Sequence, residues 1–124
     1  MIQPMRIIFA VILLASTIVT GPVLADVPVV ENVVAVRTGD AFRFDVTIRH
    51  PDTGWDHYAD AWEVLAPDGT RLGLRELAHP HEDEQPFTRS LEGVTVPSGI
   101  DHVLIRARCS VDGWATDTVR VDLP

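Results

Sequence analysis

Four of the five histidines in this chain fall in two short connections, each crowded with carboxylates. The first reads His50-Pro51-Asp52-Thr53-Gly54-Trp55-Asp56-His57, and the second His79-Pro80-His81-Glu82-Asp83-Glu84-Gln85-Pro86. Neutral imidazole and carboxylate are the usual protein ligands of Zn²⁺ and Cu²⁺. Residues two apart in extended backbone share a face, so His79 and His81 are the leading candidates to hold one ion. His57 ranks third, followed by Glu82, Glu84 and His50. Asp56 would supply an oxygen ligand or accept the outer N–H of a ligating imidazole. Trp55 and Trp114, each beside a glycine in a loop, would wall a pocket or anchor a partner. Arg89 would face the same end, contacting a ligand or pairing with Glu84 or Asp60. The plain alternative is a set of solvated polar loops or a structural hydrogen-bond cluster.

The remaining residue types narrow the chemistry. A blue-copper centre takes two histidines, a cysteine and, as a rule, an axial methionine. Both methionines lie at the start of the chain, Met1 and Met5, and no histidine closely follows the single cysteine, Cys109. Electron transfer of that kind is therefore not expected. Asp52, Asp56 and Asp60 do not match the spacing of an EF-hand loop. Zn²⁺ or Cu(II) is the cofactor to expect. Cys109 alternates with Ile105 and Ala107, the pattern of a buried core thiol. Ser90, Ser98 and Ser110 stand in no nucleophile elbow, and no glycine-rich phosphate loop occurs, so no enzymatic activity is expected.

The first 25 residues read as an export signal. Arg6 gives a positively charged start, Ile7 to Thr20 is an uncharged apolar run, and Val23-Leu24-Ala25 fits a cleavage site before Asp26. The apolar run is short for a span, which needs about 20 residues. No cysteine follows it, so no lipid anchor or stable membrane anchor is expected after cleavage. Residues 26–124 then form one domain, periplasmic or secreted. Of 10 basic and 18 acidic residues only Arg6 precedes Asp26, leaving nine arginines against 18 acids, a net charge of −9. Nucleic acid is excluded as a partner, because its phosphates need a basic footprint. Another exported protein is the partner class that remains, and the domain is expected to be a monomer. With one cysteine no internal disulfide is available, so the fold must rest on its core.

The elements that position the histidines are strands. Alternation runs through the chain with no sustained helical period. Strands are expected over residues 30–37, 40–49, 58–66, 70–78, 87–94, 102–109 and 116–123, with Pro67-Asp68-Gly69 a turn. About seven short antiparallel strands with regular turn signals predict an immunoglobulin/fibronectin-like β-sandwich, with Trp62 and Cys109 about where such domains keep a core tryptophan and a second cysteine. Strand parity then carries the loops at 50–57, 79–86 and 110–114 to one end and leaves His102 at the other.

The stretch from Trp55 to Leu91, with His-Pro-His-x-x-Glu-Gln-Pro-Phe-Thr-Arg-Ser-Leu at 79–91 and the preceding W-x-x-Y-A-D-x-W-E-V at 55–64, resembles a group of small uncharacterised exported proteins of proteobacteria. That resemblance implies a periplasmic sandwich domain and brings no known activity. Two functional readings stand together: a divalent-metal or ligand site at the loop end, or a non-catalytic interaction module using the same loops.

Overall fold

Alternation is most regular at Ala41–Arg49, where Phe42, Phe44, Val46 and Ile48 are buried and Arg43, Asp45, Thr47 and Arg49 turn outward. The same rhythm buries Val103, Ile105, Ala107 and Cys109 in His102–Cys109. Each large apolar side chain taken from water contributes about 1.5–3 kcal/mol, which commits one face of each strand to a shared core. The computed structural model describes Ile2, Ser16 and residues 26–124. Apart from Ile2 and Ser16, the expected signal segment lies outside the described residues. Among the described residues no helix is long and apolar enough to cross a membrane.

The described chain forms β1 (Val29–Thr38), β2 (Ala41–Arg49), β3 (Ala59–Leu65), β4 (Arg71–Glu76), β5 (Phe87–Val94), β6 (His102–Cys109), β7 (Gly113–Trp114) and β8 (Val119–Asp122). Two antiparallel sheets result, β1-β2-β5 and β4-β3-β6, with β7 and β8 both paired to β6. The expected immunoglobulin/fibronectin-like β-sandwich is the fold observed. Phe42, Phe44, Val46, Ile48 and Phe87 meet Trp62, Val64, Val103, Ile105 and Ala107 between the sheets. Where β4 crosses the margin of the smaller sheet, a side chain on Gly73 would meet Leu91 Cδ2 at 2.8 Å. A larger residue at 73 would have to push the end of the Leu91 side chain aside.

The last expected strand differs from the observed one. Gly113–Trp114 already pairs with Arg108 and Cys109, and Ala115 N–H donates to Ala107 O at 2.9 Å. The chain then leaves the ladder at 116–118 and rejoins it as β8, opposite residues 102–105. Trp114 is held by charge on the outer face. Its ring lies beneath the guanidinium groups of Arg71, Arg106 and Arg108, at 5.6, 5.1 and 5.2 Å. Arg71 and Arg106 donate to the buried Glu63 at 2.6–2.9 Å, and Arg108 donates to both oxygens of Asp60 at 2.8 and 3.2 Å. Trp114 is therefore tied into an arginine-carboxylate layer on the sheet surface.

Candidate metal centre

Three connections leave the sandwich at one end, as strand parity requires. Tyr58 O accepts from Ser110 N–H at 2.9 Å, and Tyr58 N–H donates to Ser110 Oγ at 3.1 Å, which ties the β2–β3 and β6–β7 connections. The β4–β5 connection is tied to the first through Asp52, whose side chain is fully buried. Asp52 Oδ1 accepts from Ala59 N–H at 2.9 Å and from His50 Nδ1 at 2.5 Å, while Oδ2 accepts from His81 N–H at 2.8 Å. Gln85 doubles the link. Its Oε1 accepts from His50 N–H and its Nε2 donates to His81 O, both at 2.9 Å. A buried carboxylate is costly unless its oxygens are hydrogen-bonded, and both oxygens of Asp52 are.

The imidazoles divide into two groups. His81 stacks on Phe87 with ring centres 3.9 Å apart and planes 10° apart. Its Nε2 accepts from Arg89 Nη2 at 2.8 Å, so its proton sits on Nδ1, 3.9 Å from Asp52 Oδ2 and without a hydrogen-bond partner. Burial, then the positive charges of Arg89 and His79, hold the His81 pKa below the usual histidine value, although Asp52 and Glu84 pull the other way. His79 is exposed, and its Nδ1 donates to Pro80 O at 2.9 Å. The two rings lie 4.5 Å apart, and the Nε2 lone pair of His81 is taken up by Arg89. Glu82, Glu84 and Asp56 are exposed. Glu84 lies 3.6 Å from Arg89, the pairing the sequence offered, while Asp60 goes to Arg108. Trp55, at the tip of a tight turn closed by the Gly54–His57 bridge, is 67% exposed and meets Tyr58 edge-on at 5.7 Å.

The second group comprises His50, His57 and Cys109. One donor atom from each lies within 4.8 Å of the other two. The rings of His50 and His57 meet edge-to-face at 4.9 Å. Among the described residues His57 Nε2 is buried with no hydrogen-bond partner, and Asp112 Oδ2 is 3.9 Å away. Cys109 is a free, buried thiol at the end of β6. Two imidazoles and a thiol suit a borderline-soft cation such as Zn²⁺, and a carboxylate on the far nitrogen of a ligating imidazole is the usual way to orient it. Asp52 stands in that place behind His50. Among the sequence candidates, His50 and His57 are brought together, and His79 and His81 form a separate pair.

Asp52, Gln85 and Cys109 were outside the ligand set the sequence singled out. The signal for Asp52 was its place two residues from His50 across a proline. For Cys109 it was strand parity, which ends β6 at the histidine-bearing end.

No family model matches this chain. A protein of Halomicrobium mukohataei named "Putative lipoprotein" is 40% identical to it over 99 residues, covering 80% of this chain and 48% of that protein. The chain thus spans about half the length of that relative, which is archaeal; the proteobacterial grouping and its motif stay expectations. A hypothetical protein of Pyrococcus horikoshii OT3, known from a crystal structure, superposes with a TM-score of 0.52 at 20% identity, over 79% of this chain and 86% of that one. That likeness concerns the sandwich fold alone.

Two outcomes follow from the anchor. Asp52→Ala strips two buried N–H groups and a buried imidazole of their acceptor, and urea unfolding should show a loss of about 3–5 kcal/mol. Because the folded state holds His81 below the ordinary pKa, the unfolded chain binds the proton more readily. His81 therefore contributes stability above about pH 6.5, and that contribution is lost as pH falls through the folded pKa. Unfolding curves between pH 7.5 and 5 should show the decline, and His81→Gln should flatten it.

Proposed function

We propose that this protein is an exported, non-catalytic β-sandwich that binds one divalent transition-metal ion, Zn²⁺ or Cu(II), at its loop end through His50, His57 and Cys109. The observation that carries this reading is the approach of those three donors to within 4.8 Å, with the buried Asp52 fixing His50 from behind. The unpartnered Nε2 of His57 supports it, since a buried nitrogen without a partner is costly unless something occupies its lone pair. Export is supported by the signal-like start and by the name of the Halomicrobium relative, a lipoprotein. His79, Glu82 and Glu84 stand outside this set as exposed groups, able to attract a cation to the acidic end.

A second reading keeps the loops and drops the ion: a monomeric module that grips another exported protein. Trp55 at 67% exposure and Val111 at 63%, on neighbouring loops, favour it, because an exposed tryptophan is the residue type most enriched at binding hot spots.

Thermal melts of the untagged protein with EDTA, Zn²⁺ and Cu²⁺ separate the two. At a free ion concentration a hundredfold above Kd, binding adds about 2.7 kcal/mol, and a domain of this size should melt roughly 10 °C higher. The rise should vanish in Cys109→Ser and His57→Ala and persist in His79→Ala. Melts indifferent to metal would leave the interaction module as the better account.

A further inference from the structure

The segment that enters β1 runs beside one of the proposed ligands, His50. Val29, the first residue of β1, pairs with Arg49, the last of β2, so the chain just before β1 must run beside the residue just after β2, which is His50. Pro28 is buried and holds that approach. The Asp26 carbonyl accepts from His50 Nε2 at 2.9 Å. His50 thus has oxygen acceptors on both nitrogens, a carboxylate on Nδ1 and this carbonyl on Nε2. With Nδ1 committed to Asp52, Nε2 is the atom open to an ion, and an ion there would take the place of its proton.

An ion on His50 Nε2 would sit beside the Asp26 carbonyl oxygen, which lies 2.9 Å from that nitrogen. The amide or amine nitrogen of a residue is never farther than roughly 3.6 Å from its own carbonyl oxygen. An amide nitrogen at Asp26 would be a poor ligand. A free α-amine is a good one, and with its own carbonyl it closes a five-membered chelate ring on an ion. The sequence places the signal-cleavage junction between Ala25 and Asp26.

We infer that removal of the signal before Asp26 frees an α-amine which, with the Asp26 carbonyl, completes the coordination of the ion held by His50, His57 and Cys109, so that the metal site matures only on export. This rests on the metal reading above. Its occupant is a divalent ion with an affinity for nitrogen and thiolate, and its new ligand is the amino terminus itself.

A feature of composition makes the test clean. Every basic side chain is arginine and the chain has no lysine, so the α-amine is the one primary amine to react. The full chain is expressed with its signal in an exporting host, and intact mass should show a protein beginning at Asp26; a different start overturns the inference. Half of that protein is acetylated with an N-hydroxysuccinimide ester, and both halves are titrated with Zn²⁺ against a competing chelator and with Co²⁺ as a spectroscopic probe. The free-amine form should bind Zn²⁺ at least tenfold more tightly. Both forms should show the Co²⁺–thiolate charge-transfer band, absent in Cys109→Ser, with ligand-field bands that differ between them. Equal affinity and identical Co²⁺ spectra would overturn the role of the amine while leaving the His50/His57/Cys109 site standing. No Zn²⁺ binding by either form would overturn the site as well.

Discussion

The loop end is organised around one buried carboxylate. Asp52 accepts three hydrogen bonds, from a backbone N–H at the start of β3, from a backbone N–H in the β4–β5 connection, and from the ring of His50. Each bond answers a separate need. The first sets where β3 begins, the second docks a ten-residue connection (77–86) onto the sandwich, and the third orients an imidazole. The same low dielectric that strengthens these bonds makes each of them costly to lose. Gln85, His81, Phe87 and Arg89 extend the lock into β5 through hydrogen bonds, a stacked ring and a guanidinium. Much of the motif at 79–91 is therefore scaffold, and its consequence for chemistry is indirect: it holds Asp52 and His50 still.

A rigid anchor behind His50 matters because the donors come from separate elements. His50 follows β2, His57 closes the turn before β3, and Cys109 ends β6. No local spacing brings them together. The sandwich does so by packing β2 in one sheet against β3 and β6 in the other, a few residues from where each strand ends. The acidic net charge adds a long-range attraction for cations that is screened by salt beyond about 10 Å at 0.1 M, whereas the proposed site would select by ligand type. His81 differs from His50 in its surroundings: its Nε2 accepts from the cationic Arg89, whereas both nitrogens of His50 face oxygen acceptors.

Much of this was legible in the chain. Alternation placed β2 and β6, the Pro-Asp-Gly turn separated β3 from β4, and parity carried three connections to one end, because a strand that buries one face must reverse at each turn. What stayed hidden was side-chain geometry at close range. His79-Pro80-His81 is a shared face only if both residues are extended and both rings are free, and Arg89, eight residues beyond His81, decides that point. Cys109 reads as core because it alternates with Ile105 and Ala107, and it is buried as that pattern says. That its sulfur also lies within 4.8 Å of a nitrogen of each of two histidines depends on where the β2–β3 connection folds back, set by Asp52 and by Gly54, whose φ of 143° other residues rarely adopt. The break between β7 and β8 was hidden for a similar reason: Trp114 joins the ladder because three arginines cover its ring, a contact among residues far apart in sequence.

The most direct test of the central claim is zinc K-edge X-ray absorption on the Zn²⁺-loaded protein. A centre built from His50, His57 and Cys109 should give one sulfur scatterer at about 2.3 Å together with nitrogen or oxygen scatterers at about 2.0–2.1 Å, the sulfur shell disappearing in Cys109→Ser. A spectrum with no sulfur shell in the wild-type protein, or zinc that dialyses away completely, would contradict it.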